Sequence, residues 1–371
     1  MKELEISFLH LVRLGIGHIL TLTGSAANTE SMDWVAMKDL AEKQGLSAIV
    51  LDGLDKANTK ITNRPPQSLM LEWIGEVMQN YEARYKQYER VIGELAGLYN
   101  SHGYKMMVLK GYACSLNWPK PSHRPCGDID IWQFGKQKEA DETLRHAQGP
   151  GFKIDDSHEH HTVFYWRDFM VENHYDFIDV HHRKSSPKLE KIFKELGKDD
   201  SHFVEVKSAS SGSATKVYLP SPNLHALFLL RHSMEHFAST ELTLRQLLDW
   251  AFFVEKHGKD VDWEWLESVL DEFGMTPAYN IFNAICVEDL GFESEILPKV
   301  QFDPFLKERV LNDILNPEFS EESPKGFIPR ISYKYRRWKA NGWKNELCFK
   351  ESLWSAFWSG VWGKILKPSQ I

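Results

Sequence analysis

The sequence predicts an α+β protein in which a small mixed-sheet core lies between two helical regions. Apolar residues in the first hundred positions recur at steps of three and four, which is typical of helices. Between residues 101 and 220 they alternate or form short runs bounded by glycine and proline, and helical spacing returns from residue 221. We therefore expect an N-terminal helical region at 1–100, an α/β core at 101–220 and a C-terminal helical region at 221–371.

Composition and charge exclude several classes of protein. The chain has 44 Lys and Arg against 52 Asp and Glu, and the resulting net charge of −8 argues against a dedicated duplex-DNA-binding protein. Phosphate substrates stay open, because they need only a local basic pocket. The sequence contains no apolar run long enough for a transmembrane segment, no signal-peptide cleavage pattern and no CxxC pair among its 4 cysteines. We expect a cytoplasmic protein with free thiols.

The longest predicted helix of the N-terminal region runs from Ser68 to Asn100. Pro65 and Pro66 precede it, Ser68 is its predicted N-cap, and Gly103 ends it. Its apolar face comprises Trp73, Val77, Tyr81, Tyr85, Tyr88, Ile92, Leu95 and Tyr99.

The central region is predicted to hold short strands and two helices. Strands are expected at 104–109, 128–132, 161–166, 169–172 and 175–181, with a hairpin of 203–207 and 216–219. Helices are expected at 111–118 and 136–148. In the C-terminal region, helices are predicted to begin at Ser221-Pro222, at Asp262 and at Thr276-Pro277, where N-cap residues or prolines stand.

Two aspartates alternate along one predicted strand. Alternate side chains of a strand share a face, so Asp128 and Asp130 point the same way with Cα atoms about 7 Å apart. Ile129 and Ile131 then face the core. Two carboxylates this close repel each other unless a positive charge lies between them. A divalent cation meets that need, and Mg²⁺ binds carboxylate oxygens together with substrate phosphates.

A third carboxylate would complete a two-metal site. Asp179 repeats the pattern of Asp130, because it lies between two aliphatic residues, Ile178 and Val180, that would face the core of a strand. Asp176 shares the face of Ile178 in that strand. We therefore favour Asp179 as the third acid.

An ordered set of motifs carries a family resemblance. In chain order these are Leu109-Lys110-Gly111, the segment RPCGDID from Arg124 to Asp130, and Asp179-Val180-His181. The set resembles the bacterial uncharacterised nucleotidyltransferase family, a branch of the superfamily with a DNA-polymerase-β-like palm. The resemblance covers roughly residues 70–255, including helical segments at 227–236 and 244–250.

The resemblance implies a magnesium-dependent transfer of an NMP group, such as AMP or UMP, from an NTP to an acceptor hydroxyl. By this resemblance Asp128, Asp130 and Asp179 would hold two Mg²⁺ ions, with Mn²⁺ as an alternative. Asp179 in particular would help to deprotonate the acceptor. The fold implied is a palm-like mixed sheet with helical regions on both sides in sequence.

The resemblance also implies residues for nucleotide binding. Gly111 would let the backbone approach the triphosphate, and Lys110 and Arg124 would neutralise phosphate charge. His181 would contact phosphate or tune the acids. Lys110 has a structural alternative as a side chain that extends to solvent from a strand end, and Arg124 has one as a loop salt bridge.

The sequence departs from the superfamily at the turn after the first motif. Tyr112 stands where a serine is usual, and the segment from Gly111 to Asp128 is longer than the typical one. A non-catalytic nucleotide-binding or interaction module on the same fold therefore stays open beside an enzyme. A toxin-like enzyme acting on tRNA or protein is a further alternative. The acceptor is open between a small molecule, a protein and an RNA end, and the net acidity disfavours a long nucleic acid.

Histidines and one basic segment give competing patterns. A zinc site is conceivable at the histidines between 158 and 182, but no HExxH or similar ligand spacing supports it. His232 and His236, like Arg245 and Asp249, are four apart on predicted helices, and such pairs form either surface contacts or the wall of a cleft. Residues 331–367 mix basic and aromatic residues, which predicts an amphipathic helix pair packed on the body. Base stacking or membrane-surface binding is the alternative there.

Overall fold

A computed structural model describes residues 2–18, 32–57, 63–158, 160–181, 183–207, 214–319 and 324–349. Across these ranges, helices precede and follow a unit built on a seven-stranded mixed sheet. This arrangement is compatible with the predicted α+β class. In the described residues, no helix combines the length and the apolar character needed to cross a membrane.

The central sheet is built from short strands. They are β1 (Met107–Val108), β2 (Ile129–Trp132), β3 (Ile154–Asp155), β4 (His161–Trp166), β5 (Phe169–His174), β6 (Phe203–Lys207) and β7 (Ala214–Tyr218). Their order is β3-β4-β5-β2-β1-β7-β6. β2 pairs antiparallel with β1 and parallel with β5, in a register that sets Asp130 beside Glu172 and Trp132 beside His174.

Along the chain, helices lie before, between and after the strands of the sheet. The N-terminal ones are α1 (Glu3–Ile16), α2 (Trp34–Lys43), α3 (Ser47–Ala57), α4 (Gln67–Glu76) and α5 (Arg84–Ser101). The sheet region contains α6 (Tyr112–Ser115), α7 (Gln137–Gln148) and α8 (Ser186–Leu196). The C-terminal ones are α9 (Pro222–Ser239), α10 (Leu244–His257), α11 (Trp263–Glu272), α12 (Thr276–Glu288), α13 (Pro304–Leu315), α14 (Phe327–Ala340) and α15 (Gly342–Cys348).

The long helix predicted at 68–100 is confirmed, with two differences. A π-helical segment, Val77–Ala83, joins α4 to α5 without a break. The helix begins one residue earlier than predicted, at Gln67 after Pro66, so Ser68 is not its N-cap. It ends at Ser101, just before Gly103, whose φ of 81° is the left-handed conformation that favours glycine at such a position.

The two faces of the sheet pack against different layers. Ile129 and Ile131 of β2 lie in a core shared with α5 and α7, as the alternation in the sequence predicts. Trp132 points to the opposite face, where the core also contains residues of α1–α3 and of α8–α13. Asp130 alternates onto this second face. The N-terminal and C-terminal helices therefore share one core, on the side of the sheet that carries Asp130.

The predicted strand at 175–181 is wrong, since this segment consists of bends and turns. The backbone N–H groups of Tyr175 and Asp176 both donate to the His160 carbonyl, at 3.0 and 3.1 Å. The next two, of Phe177 and Ile178, donate to the buried Glu190 carboxylate at 3.0 and 3.1 Å. Because these donors are already satisfied, they cannot form a ladder with a neighbouring strand.

Other predicted elements are shorter or lie partly outside the described residues. The strand at 104–109 reduces to β1, and the helix at 111–118 reduces to α6. The helices predicted to begin at Pro222, at Trp263 and at Thr276 are confirmed, and Asp262 caps its helix by accepting from the Trp265 N–H at 3.1 Å. The C-terminal pair begins as α14 and α15, whereas residues 350–367 and the SASSGS turn at 208–213 lie outside the described residues.

Candidate active site

A cavity lies between one face of the sheet and the helices α9 and α10. The sheet side contributes the end of β1, the loop before β2 and β2 itself, and the helix side contributes polar residues. The lining comprises Lys110, Gly111, Cys114, Arg124, Gly127, Asp128, Asp130, Leu229, His232, Ser233, His236, Arg245, Gln246 and Asp249. Five of the seven predicted site residues therefore meet in one cavity. Asp179 and His181 are not among its lining residues, and neither are Glu172 and His174 of β5.

Asp130 is held deep in this cavity with one oxygen unsatisfied. Its side chain is 1% exposed, and its Oδ1 lies 2.9 Å from Lys110 Nζ and 3.1 Å from His174 Nε2. Its Oδ2 is buried and has no hydrogen-bond partner among the described residues. Burial favours a high pKa, but Lys110 and His174 hold the pKa of Asp130 well below its usual range. The carboxylate is therefore ionised and has one oxygen left for a further ligand.

Asp128 and Lys110 complete the charged group on the sheet side. Asp128 is half-buried, and the neighbouring Asp130 together with burial raises the pKa of Asp128. Burial acts to lower the pKa of Lys110, but the charges of Asp130 and Asp128 outweigh it and raise that pKa. Lys110 is therefore shared between two carboxylates, and a divalent cation would relieve their repulsion.

A third acid lies beside Asp130, and it is Glu172 of β5. The two residues are direct partners in the β2–β5 register. His174, two residues further along β5, contacts both acids, with Nε2 at 3.6 Å from Glu172 Oε2 and 3.1 Å from Asp130 Oδ1. Burial lowers the pKa of His174, but hydrogen bonds to Asp130 and Glu172 raise it to about 9, so the ring is cationic at neutral pH. Asp130, Glu172 and His174 bring one ligand atom each within 4.8 Å of one another.

Asp179 and His181 occupy the irregular segment after β5. Asp179 Oδ1 accepts a hydrogen bond from the His181 backbone N–H at 2.7 Å, and the His181 side chain is exposed. Asp179 was favoured as the third acid because a strand was expected at 175–181, and the structure has no strand there. A sequence signal for Glu172 was present, because Glu172-Asn173-His174 has the same acid–x–His spacing as Asp179-Val180-His181.

Gly111 adopts a backbone conformation that only glycine tolerates easily. Its φ is 56°, and a Cβ at this position would lie 2.3 Å from the hydroxyl of Tyr88. Tyr88 Oη in turn donates to the Asp128 carbonyl at 2.8 Å. The close approach of Gly111, Tyr88 and the backbone of Asp128 ties the end of β1 to the loop before β2, and it leaves bare backbone at the cavity.

Arg124 is engaged in an internal salt bridge. Its Nε and Nη2 donate to the two carboxylate oxygens of Asp249 on α10, both at 2.8 Å, and both side chains are buried. Trp118 Nε1 also donates to Asp249 Oδ1 at 2.8 Å. The Arg124 guanidinium, which the resemblance assigns to phosphate, thus forms a bidentate salt bridge with a protein carboxylate. This salt bridge holds the RPCGDID loop against α10. This is the salt-bridge alternative considered from the sequence.

Arg245, one turn before Asp249, presents a different situation. The sequence left open an ion pair between Arg245 and Asp249, but Asp249 is bound to Arg124 instead. Arg245 Nε is buried and has no hydrogen-bond partner within the described part of the chain. Burial and the nearby Arg124 lower the pKa of Arg245, although a guanidinium stays charged at neutral pH. A cation with an unsatisfied donor therefore lines the cavity opposite the acids.

His232 and His236 of α9 form the rest of the helical wall. Their rings are 4.4 Å apart in an edge-to-face arrangement. Burial, with a contribution from Lys110, lowers the pKa of both, and that of His232 falls well below its ordinary value. Both rings are neutral at pH 7 and offer hydrogen bonds without adding charge. The alternative in which these histidines face a cleft is the one that the cavity lining supports.

A second group of histidines surrounds His174. His161, in β4, is the cross-strand partner of His174, and their ring centroids are 5.2 Å apart. His160 contacts both rings, with its centroid 4.4 Å from that of His161 and 5.6 Å from that of His174. Burial lowers the pKa of His160, and lowers that of His161 to about 4, so both rings are neutral at pH 7.

A larger open groove elsewhere on the molecule lacks this combination of groups. It lies beside α5 and β4 and contains Arg90, Glu94, Tyr165 and Arg167. Arg90 Nε and Arg167 Nε both contact Glu94, at 3.1 and 3.3 Å. Both arginines are thus paired with one carboxylate, and this groove has no second acid among its lining residues.

The fold and this cavity define a protein with carboxylates and a lysine on a mixed sheet, facing a polar helical wall. A family model described as "Uncharacterised nucleotidyltransferase" matches residues 30–290, which is more than half of the chain. The chain therefore belongs to the uncharacterised nucleotidyltransferase family. The match extends beyond residues 70–255, where the resemblance was first noted, at both ends. Neither the curated proteins nor the solved structures include a match to this chain.

Proposed function

We propose that this protein is a magnesium-dependent nucleotidyltransferase that moves an NMP group from an NTP to an acceptor hydroxyl. The observation that carries the proposal is the composition of one cavity. Asp128, Asp130 and Lys110 line its sheet side, and Arg245 lines its helical side. Carboxylates opposite a cation with an unsatisfied donor suit a substrate that brings both metal ions and phosphates. The sheet would then correspond to the palm of the DNA-polymerase-β-like superfamily.

The metal-binding residues in this proposal are Asp128, Asp130 and Glu172. The buried, unsatisfied Oδ2 of Asp130 and the raised pKa of Asp128 fit a site that takes a divalent cation. Oxygen donors of this kind match Mg²⁺, and Mn²⁺ is the natural substitute. Bound Mg²⁺ would neutralise the developing charge on the phosphates. His174 and Lys110 position the carboxylates through the contacts described above.

Glu172 replaces Asp179 in the proposed set of ligands. The replacement rests on the β2–β5 register, which pairs Glu172 directly with Asp130. Asp179 uses its Oδ1 to accept from the His181 backbone, in a segment without strand pairing. We also propose that His174 takes the part of the histidine in the acid–x–His motif, in place of His181.

In this proposal the phosphates are bound by Arg245, Lys110 and the backbone of Gly111. Arg245 has an unsatisfied buried donor, and Gly111 offers backbone without a side chain in the way. Arg124 acts as a positioning residue, because its guanidinium holds Asp249 of α10. The cavity encloses about 160 Å³, which is below the roughly 300–1,000 Å³ of pockets that enclose a whole drug-sized ligand. We therefore propose that it takes the phosphates and ions, with the base and the acceptor outside it.

In the proposed reaction an acceptor hydroxyl attacks the α-phosphorus of the NTP. The new bond joins the acceptor oxygen to this phosphorus, the bond to the β-phosphate oxygen breaks, and pyrophosphate leaves. The acceptor proton passes to a carboxylate oxygen of the acidic set. Lys110 and Arg245 stabilise negative charge on the phosphates as the bond breaks.

The test is transfer of label from α-³²P-labelled NTPs to the components of a cell extract. We expect labelling by the wild type and none above background by the double variant Asp128→Ala plus Asp130→Ala. A matched control removes another pair of acids, Asp155→Ala plus Asp156→Ala, which are exposed at the end of β3. Labelling that survives the loss of Asp128 and Asp130 would contradict the proposal. Toxicity of expression that disappears in the same double variant would favour a toxin-like enzyme.

A second candidate is a nucleotide-binding module without catalysis, and Tyr112 favours it. Tyr112 stands at the position of the usual turn serine, and its hydroxyl donates to Glu89 Oε1 at 2.9 Å on the side of α5. This residue therefore supplies no hydroxyl to a phosphate in the cavity. NTP binding that depends on Asp128 and Asp130, together with an absence of labelled product under all conditions, is the result that this candidate predicts.

A further inference from the structure

Three histidines at the end of the β4–β5 hairpin form a cluster that the proposed transfer reaction does not use in full. One ligand atom from each of His160, His161 and His174 lies within 4.8 Å of the others. Zinc–nitrogen bonds of about 2.0–2.1 Å require ligand nitrogens somewhat closer than this limit. The remaining difference is within reach of small side-chain rotations, since the ring centroids already lie 4.4 to 5.6 Å apart.

The backbone holds these rings in place. His161 and His174 are direct cross-strand partners, so their side chains emerge from the same face of the hairpin. The carbonyl of His160 accepts from the N–H groups of Tyr175 and Asp176, at 3.0 and 3.1 Å. The start of one strand and the end of the next are thus fixed to each other at the cluster.

Two ring nitrogens carry the signs of a ligand site. His161 Nδ1 is buried and has no hydrogen-bond partner in the described ranges, which is unusual for a buried polar atom. His174 Nδ1 lies 3.3 Å from the Asp176 carbonyl, a contact that fixes the orientation of the ring. A histidine that ligates a metal through one nitrogen typically holds a backbone carbonyl or carboxylate with the other.

We propose that His160, His161 and His174 form a binding site for a transition-metal dication of the zinc class. Imidazole ligands suit Zn²⁺ and Co²⁺, whereas the neighbouring carboxylates Asp130 and Glu172 suit Mg²⁺. A metal at His174 Nε2 would replace the proton that this nitrogen now shares with Asp130. A water would fill the fourth position. The Glu172 carboxylate, whose Oε1 lies 3.9 Å from His161 Nε2, would face the nitrogen of His161 that does not bind the metal.

The proposal does not depend on nucleotidyl transfer, because zinc binding can be measured without any nucleotide. The probes are Zn²⁺ followed by calorimetry and Co²⁺ followed by its visible absorption, both added to the full chain after chelator treatment. We expect one tightly bound ion in the wild type. The variant His160→Gln should weaken binding at least tenfold, because it removes one of three ligands, and His160→Gln plus His161→Gln should abolish it.

Two further variants separate this site from its surroundings. His158→Gln is the matched control, because His158 stacks on His161 at 4.8 Å between centroids but does not belong to the cluster. Asp128→Asn changes an acid of the magnesium set that belongs to neither group of clustered ligand atoms around His174, and it should leave zinc binding intact. Circular dichroism of each variant establishes that it is folded. No binding by the wild type overturns the proposal, as does zinc binding that Asp128→Asn abolishes while His160→Gln plus His161→Gln retains it.

Discussion

Two short segments of this chain share the acid–x–His pattern, and only the first of them lies in a strand of the sheet. Glu172-Asn173-His174 ends β5, where its first residue pairs with Asp130. Asp179-Val180-His181 follows in bends and turns, where the Asp179 carboxylate accepts from the backbone two residues on. The difference arises from the backbone, because only the first segment is hydrogen-bonded into the sheet. The same acid–x–His pattern therefore has different surroundings in the two segments, because strand register positions only the first.

The largest expected effect separates the two acids of these segments. Glu172→Gln should lower label transfer from NTP about 100-fold or more, since loss of a charged metal ligand costs several kcal/mol of transition-state stabilisation. Asp179→Asn should leave the rate within about threefold of the wild type. The measurement is the initial rate of label transfer at saturating Mg²⁺. Equal losses in the two variants would remove the distinction between the segments.

The next largest effect is expected on the KM for NTP, from Arg245 on the helical side of the cavity. Arg245→Ala should raise the KM for NTP roughly 10- to 100-fold, because a hydrogen bond to a charged group contributes roughly 1.5–3 kcal/mol. Arg245→Lys should recover part of this loss, since it restores the charge without the guanidinium fork. Arg309→Ala is a suitable control, because Arg309 pairs with Glu318 on the surface. An unchanged KM in Arg245→Ala would show that phosphate is bound elsewhere.

The two histidines of the paired segments should differ more mildly. His174→Gln should raise the Mg²⁺ concentration needed for half the maximal rate by about tenfold or more. Removing a group that orients metal ligands has effects on this scale. His181→Gln alters an exposed side chain and should leave the Mg²⁺ titration unchanged. Rates measured across a series of Mg²⁺ concentrations give both values. A larger effect at His181 than at His174 would reverse the comparison.

Sequence reasoning reached the residues whose neighbours are local. Asp128 and Asp130 are two apart at the start of β2, so the alternation of side chains along a strand predicted that they share a face. Lys110, two residues after β1, was predicted from the family resemblance. The segment at 175–181 has the same alternation, but Glu190 and His160 take its backbone donors. These hydrogen-bond acceptors belong to other parts of the chain, so the residue pattern of the segment itself gives no sign of them.

Long-range pairing explains the remaining differences. Arg124 binds Asp249, 125 positions further along the chain, and this pairing decides that Arg245 is the arginine with an unsatisfied donor. Helical spacing alone suggested that Arg245 and Asp249 pair with each other. The choice between the partners depends on how α10 packs against the loop before β2, which no local pattern specifies.

The last prediction concerns stability and not rate, at Glu190, which accepts from the backbone just before the second segment. Burial raises the pKa of Glu190 to about 7, so the folded chain retains a proton between pH 4.5 and 7 that the unfolded chain has lost. Stability from this group is therefore highest at low pH and falls as the pH rises through that window, by at most about 3 kcal/mol. Glu190→Gln cannot titrate. Urea unfolding at pH 5 and pH 8 should show the wild type losing stability relative to Glu190→Gln, and a difference that does not change with pH contradicts this account.

Direct titration of Mn²⁺, followed by electron paramagnetic resonance in the presence of a non-hydrolysable NTP analogue, tests the central claim most closely. The wild type and Asp179→Asn should bind Mn²⁺ with the same affinity, because Asp179 lies in a segment without strand pairing, where its Oδ1 accepts from the His181 backbone. Glu172→Gln should bind it at least tenfold more weakly, since the β2–β5 register makes Glu172 the partner of Asp130. Weakened binding in Asp179→Asn with full affinity in Glu172→Gln would contradict the account.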